Sequence, residues 1–124
     1  LFTEKSRAVL PEKLAYKEAV AASSIANVMI AAILYGDLPL AGKMMEQDKW
    51  HETYRRSLVP HLKEIRRLTQ QRGAYGSFLS GAGPTVLILS PEERTNEIVQ
   101  SLEKLSTKAS IQIFNIDQEG VQVF

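Results

Sequence analysis

Apolar positions in the first half of the chain recur at helical spacing. Val20, Ser24, Met29 and Ala32 with Ile33, set among many alanines, predict a helix over Tyr16–Tyr35, and Gly36 supplies its left-handed stop. Asp37-Leu38-Pro39 opens a second helix running to about Met45, Gln47-Asp48 interrupt it, and residues 50–56 resume helical periodicity. Pro60 starts a fourth helix over 61–71, with Leu62, Ile65 and Leu68 inward and Gly73 beyond its end. Upstream, Thr3 caps a short turn through Ala8 that Pro11 stops, so Thr3 and Arg7 share one helical face.

The period changes in the second half. Residues 75–79 and 85–89 read as strands, and Ser90-Pro91-Glu92-Glu93 reads as a capping box with Pro91 at the first helical position. A helix over 91–105 follows, with Ile98, Val99, Leu102 and Leu105 as its inward stripe. Residues 111–116 and 121–124 then form a terminal hairpin about a turn at 117–120. Leu1-Phe2 resembles the stub of a strand already under way. With a strand there, the order places helices on one face of a mostly antiparallel sheet, an α+β plait close to the ferredoxin-like split βαβ. No repeat or low-complexity linker divides residues 1–124, which are read as one domain.

Composition narrows the classes. A chain of 124 residues suits one domain able to bury roughly two thirds of its unfolded surface. Fifteen basic against 14 acidic side chains leave a net charge of +1, too little to steer nucleic acid or an anionic membrane. The absence of cysteine removes disulfides and thiolate metal sites, and two histidines make a poor zinc set, so no metal site is expected. The longest apolar run, residues 28–35, is far short of the roughly 18 residues of a membrane span, so the sequence is read as a soluble, cytoplasmic protein or part of one. Lys63, Arg66, Arg67 and Arg72 form a basic patch without interleaved aromatics and are read as a solvated face. Trp50, Met44 and Met45 are read as core or interface. Glu92-Glu93 are assigned to helix capping, and His51, with no evident orienting partner, to a structural role.

Chemistry concentrates in Ser80-Gly81-Ala82-Gly83-Pro84-Thr85, between Phe78-Leu79 and Val86-Leu87-Ile88-Leu89. Two glycines so close permit positive φ, which serves a tight hairpin turn or a loop whose N–H groups line an anion-sized concavity. Spacing alone leaves both readings open.

Gly76-x-x-x-Ser80-Gly81-Ala82-Gly83-Pro84-Thr85-Val86 resembles the third conserved motif of the GHMP small-molecule kinases, and the flanking order of elements is similar to that of their C-terminal domain. Thr3-Glu4-Lys5-Ser6-Arg7-Ala8-Val9-Leu10-Pro11 and His51-Glu52-Thr53-Tyr54-Arg55-Arg56-Ser57-Leu58-Val59-Pro60 resemble two segments of the branch of that family that phosphorylates L-homoserine, and Gln118-Glu119-Gly120-Val121-Gln122-Val123 extends the likeness. The family's first glycine-serine motif and its N-terminal ATP-binding domain have no counterpart in these residues. Ala15 departs from the polar cap expected before Tyr16.

The resemblance implies the C-terminal, substrate-binding domain of an enzyme that transfers the γ-phosphate of ATP to the hydroxyl of L-homoserine, giving O-phospho-L-homoserine, a precursor of threonine. ATP and Mg²⁺ would be held mainly by the N-terminal domain, the main partner of this one, with a homodimer as a further option. Thr3, Arg7 and Arg55 would meet the homoserine carboxylate, a role that suits a planar guanidinium able to donate two parallel hydrogen bonds. Ser80, Gly81, Ala82 and Gly83 would pack against the phosphate site, with no catalytic residue in this chain, which alone would be inactive. Two alternatives stand beside this reading: the same domain of another GHMP kinase, and a free-standing α+β module that binds an amino acid for regulation.

Overall fold

The computed structural model describes residues 3–105 and 109–124. Its elements are α1 (Thr3–Ala8), α2 (Tyr16–Tyr35), α3 (Leu38–Met45), α4 (Glu52–Arg55) continued by a 3₁₀ turn at Arg56–Leu58, α5 (Leu62–Gln71), β1 (Gly76–Leu79), β2 (Val86–Leu89) and α6 (Glu92–Glu103). β1 and β2 pair antiparallel, with Gly76 opposite Leu89 and Leu79 opposite Val86. Helices α3 and α5 both pack on β1, α2 lies on α3, and α6 lies on α5. This is an α+β arrangement, as expected.

Local chemistry sets the joints. Gly36 at φ 85° ends α2, where the Asp37 N–H donates to the Ala32 carbonyl at 2.8 Å. Asp37 then caps α3 through its carboxylate, which accepts from the Leu40 N–H at 3.0 Å. Ala15 caps α2 without any side-chain hydrogen bond, matching its apolar character.

The inward stripe of α2 differs from expectation. Ala22 and Ala32 are buried, Ile25, Ala26 and Met29 are half-buried between them, and Val20 and Ile33 face outward with Ser24. The two fully buried positions carry only methyl groups, where α3 packs closely on α2. The helix is also long and apolar enough by composition to cross a membrane, with a mean hydropathy of 1.6, although serines and an asparagine break its uninterrupted apolar run.

Several boundaries move. Thr3 is the first residue of α1 instead of its cap. The helix expected over 50–56 is only one α-turn, and α5 starts at Leu62, two residues after Pro60. Pro91 occupies the cap of α6 with ψ 146°, which shifts Ser90 out of the capping position, so the Ser90 hydroxyl pairs with Thr95 Oγ1 and the capping box does not form. Glu92 and Glu93 stand in the first turn of α6 as assigned.

The expected terminal hairpin is absent. Residues 109–124 carry no strand, and Phe114, Val121, Val123 and Phe124 are exposed. The turn itself exists, since Asp117 accepts from the N–H groups of Glu119 and Gly120, but an isolated two-stranded ribbon has too little surface to bury. The strand expected at Leu1-Phe2 lies outside the described residues.

Candidate functional site

The glycine loop closes the β1–β2 hairpin. Ser80 donates its N–H to the Thr85 carbonyl at 2.9 Å, Gly83 donates to the Ser80 carbonyl at 3.0 Å, and positive φ at Gly81 (54°) and Gly83 (75°) turns the chain. The hairpin-turn reading is therefore correct as local structure. A side chain at Gly81 would meet nothing within 4 Å, so the crown of the loop fronts open space. Among the described residues, the N–H groups of Gly81 and Ala82 donate no backbone hydrogen bond.

The loop carbonyls are held from two sides. Arg55, only 6% exposed, donates from Nη1 to the Gly81 carbonyl at 2.9 Å and from Nε to the Ser6 carbonyl at 3.0 Å. Ser6, fully buried, donates its hydroxyl to the Ala82 carbonyl at 2.7 Å. Three segments far apart in sequence thus meet at one point: α1, α4 and the loop. Arg7, next to Ser6, and Thr3, one turn before it, lie exposed on α1.

Beneath the loop the interior is polar. Glu52, 1% exposed, receives both its oxygens' hydrogen bonds from Arg66 Nη2, at 2.9 and 3.0 Å, and accepts the Leu79 N–H at 3.4 Å. Arg66 also donates to the Ser77 carbonyl and pairs with Glu46 at 3.3 Å, while Glu46 accepts the Ser77 N–H at 2.8 Å. Thr69 and Ser77 share a buried hydroxyl hydrogen bond of 2.6 Å. Every charge in this cluster faces a partner, as low-dielectric burial requires. Arg66 is therefore not part of a solvated face. It shares the inward arc of α5 with Leu62 and Thr69, each about one turn away, and that helical spacing was the available signal for it. Glu52, Glu46 and Ser6 had no such signal: Ser6 stands between Lys5 and Arg7, and the two acids belong to no apolar stripe in the sequence.

His51 has the orienting partner it was expected to lack. Its Nδ1 lies 3.3 Å from Asp48 Oδ2, and Asp48 also accepts the N–H groups of Trp50, His51 and Glu52, fastening the start of α4. Partial burial works to raise the Asp48 pKa, but those backbone hydrogen bonds and the His51 imidazole outweigh it and hold the carboxyl below its ordinary 3.8. Trp50 is 38% exposed, not core, and with His51, Ala19 and residues 10–14 lines an open hollow of about 470 Å³ that contains none of the loop residues. Among the described residues, no group of three or more His, Asp or Glu side chains could hold a metal ion.

Comparison with known proteins gives a consistent set. Residues 29–106 match the family described as GHMP kinases C terminal. Over all 124 residues the chain is 98% identical to the homoserine kinase of Enterococcus faecalis and 54% identical to that of Listeria welshimeri. It spans 43% of the length of each of these relatives. A crystal structure of homoserine kinase from Cytophaga hutchinsonii superposes on 84% of this chain, and on 33% of its own, with a TM-score of 0.74 at 30% identity.

Proposed function

This chain belongs to the GHMP kinases through their C-terminal domain, and on that premise we propose that residues 1–124 form the substrate-binding domain of a cytoplasmic homoserine kinase, which transfers the γ-phosphate of ATP to the hydroxyl of L-homoserine. The observation that carries this reading is the junction at Arg55, where one buried guanidinium joins the two segments and the loop on which the likeness to that enzyme rests. Nothing favours a different kinase or a free-standing regulatory module.

In this reading Arg7 and Arg55, with Thr3 beside them, hold the substrate carboxylate. Arg55 is fixed by two carbonyls, and among the described residues its Nη2 end makes no hydrogen bond. A guanidinium already immobilised loses little further freedom when it grips a carboxylate. The loop fits a phosphate group: among the described residues the N–H groups of Gly81 and Ala82 have no acceptor, and the crown has open space before it. ATP, when bound, supplies the phosphoryl group, while Ser80, Gly81, Ala82 and Gly83 border the phosphate site and exclude water from it. In this reading the N-terminal domain supplies the Mg²⁺ ligands. The product is O-phospho-L-homoserine.

The test uses the full-length protein containing this chain, with ATP, Mg²⁺ and L-homoserine. ADP and O-phospho-L-homoserine are expected in equal amounts. The isolated chain is expected to give none, and turnover by it above background overturns the assignment of nucleotide chemistry to the other domain.

A further inference from the structure

We infer that Ser6 is a positioning residue that couples the amino-acid site to the phosphate loop. Its hydroxyl and its carbonyl are both engaged at that boundary: the hydroxyl donates to the Ala82 carbonyl at 2.7 Å, and the carbonyl accepts Arg55 Nε at 3.0 Å. Arg55 Nη1 returns to the Gly81 carbonyl at 2.9 Å, which closes a ring through α1, α4 and the loop. Ser6 is fully buried and flanked by exposed Lys5 and Arg7, so it reaches neither ligand itself.

The ring has a mechanical consequence. A carboxylate drawn to Arg7 and Arg55 pulls on α1 and on the guanidinium, and both are tied to the carbonyls of the loop that borders the phosphate site. Ordering the loop beforehand lowers what the second ligand must order, so each ligand strengthens the binding of the other. Within the ring, the Ser6 hydroxyl is the one direct bond from α1 to the loop. This inference rests on the reading of the chain as part of a homoserine kinase.

The experiment measures the dissociation constant of L-homoserine for the full-length protein with and without a non-hydrolysable ATP analogue, in wild type and Ser6→Ala. A wild-type coupling factor of at least about fivefold is expected, falling to within about twofold of unity in Ser6→Ala. A ratio of affinities is insensitive to the fraction of protein folded, so a purely structural role for Ser6 leaves it unchanged. Equal factors in the two proteins, or a wild-type factor of one, overturn the inference. Failure of the wild type to bind homoserine overturns the functional reading instead. The ring is then judged by amide exchange at Gly83, whose N–H donates to the Ser80 carbonyl; Ser6→Ala is expected to accelerate that exchange roughly tenfold while β1 keeps its protection. Unchanged exchange there overturns the inference on its own.

Discussion

Gly42 of α3 and Gly76 of β1 touch backbone to backbone. A methyl group built on Gly76 would stand 2.5 Å from the Gly42 carbonyl oxygen and 2.8 Å from its Cα, and one on Gly42 would stand 2.9 Å from the Gly76 nitrogen. This crossing fixes the distance from α3 to the strand that leads into the glycine loop. It also brings Glu46, at the end of α3, within 2.8 Å of the Ser77 N–H.

Alanine at Gly42 or Gly76 is therefore expected to cost about 3 kcal/mol or more, because the obstacle is backbone that cannot move without separating helix and strand. Gly81→Ala offers the contrast. Its side chain meets open space, so only the positive φ is penalised, by about 1–2 kcal/mol. Urea denaturation of the three variants checks the order, and equal losses at Gly42 and Gly81 refute the close-contact argument.

The Glu52–Arg66 pair gives a second expectation. Glu52→Ala leaves the guanidinium facing a second acid but stripped of its shortest carboxylate contacts, and leaves the Leu79 N–H without an acceptor. A loss of about 3–5 kcal/mol is expected, whereas Glu52→Leu combined with Arg66→Met recovers part of it by replacing this ion pair with packed apolar groups, less what Glu46 and the Ser77 carbonyl lose with their donor. Thermal unfolding of the single and double variants decides; a double variant no more stable than Glu52→Ala refutes the electrostatic account.

Those two features mark where the sequence was readable and where it was not. Gly36, Asp37 and Pro39 act locally, through φ and capping, and their joint between α2 and α3 was visible in the residue order. The hairpin at Ser80 to Thr85 was visible for the same reason. Gly42 carried no sign of its role, since close approach depends on which element lies opposite. Arg66 and Glu52 look like surface charges until α4, α5 and β1 are brought together. Residues 111–124 failed in the other direction: their apolar pattern suits strands, yet pairing depends on surface beyond the segment itself. Of the site, the family likeness assigned Arg55, with Thr3 and Arg7, to the substrate carboxylate, whereas its hydrogen bonds to the Gly81 and Ser6 carbonyls and the part played by Ser6 were not anticipated.

Asp48 predicts a pH dependence. Its carboxyl titrates below 3.8 in the folded protein because the hydrogen bonds from residues 50–52 and the His51 imidazole outweigh its partial burial. A depressed acid contributes its full stabilisation above the unfolded value and loses it as pH falls through the folded value. Asp48→Asn is thus expected to lower stability by about 1 kcal/mol at pH 7, as for a weakened helix cap, with the difference from wild type vanishing below pH 3.8. Melting curves of both proteins across that range test it, and a constant gap at all pH values refutes it.

Arg7 and Arg55 separate recognition from architecture. Arg7 is exposed, so Arg7→Ala is expected to change stability by less than about 0.5 kcal/mol. If it grips the substrate carboxylate, the same change lowers kcat/KM for homoserine roughly 30- to 150-fold, the equivalent of about 2–3 kcal/mol for a lost charge-assisted contact. Arg7→Lys restores only part, because the charge remains and the planar fork does not. Arg55→Ala behaves differently: it deprives the carbonyls of Ser6 and Gly81 of their donor inside the fold, so stability falls by about 2–4 kcal/mol and the KM for ATP rises along with that for homoserine. An amino alcohol without a carboxylate, such as 3-amino-1-propanol, is expected to be a poor substrate for the parent and no worse for Arg7→Ala. If Arg7→Ala leaves kcat/KM for homoserine within about twofold, Arg7 is a surface charge, and if Arg55→Ala does so as well the carboxylate site lies elsewhere.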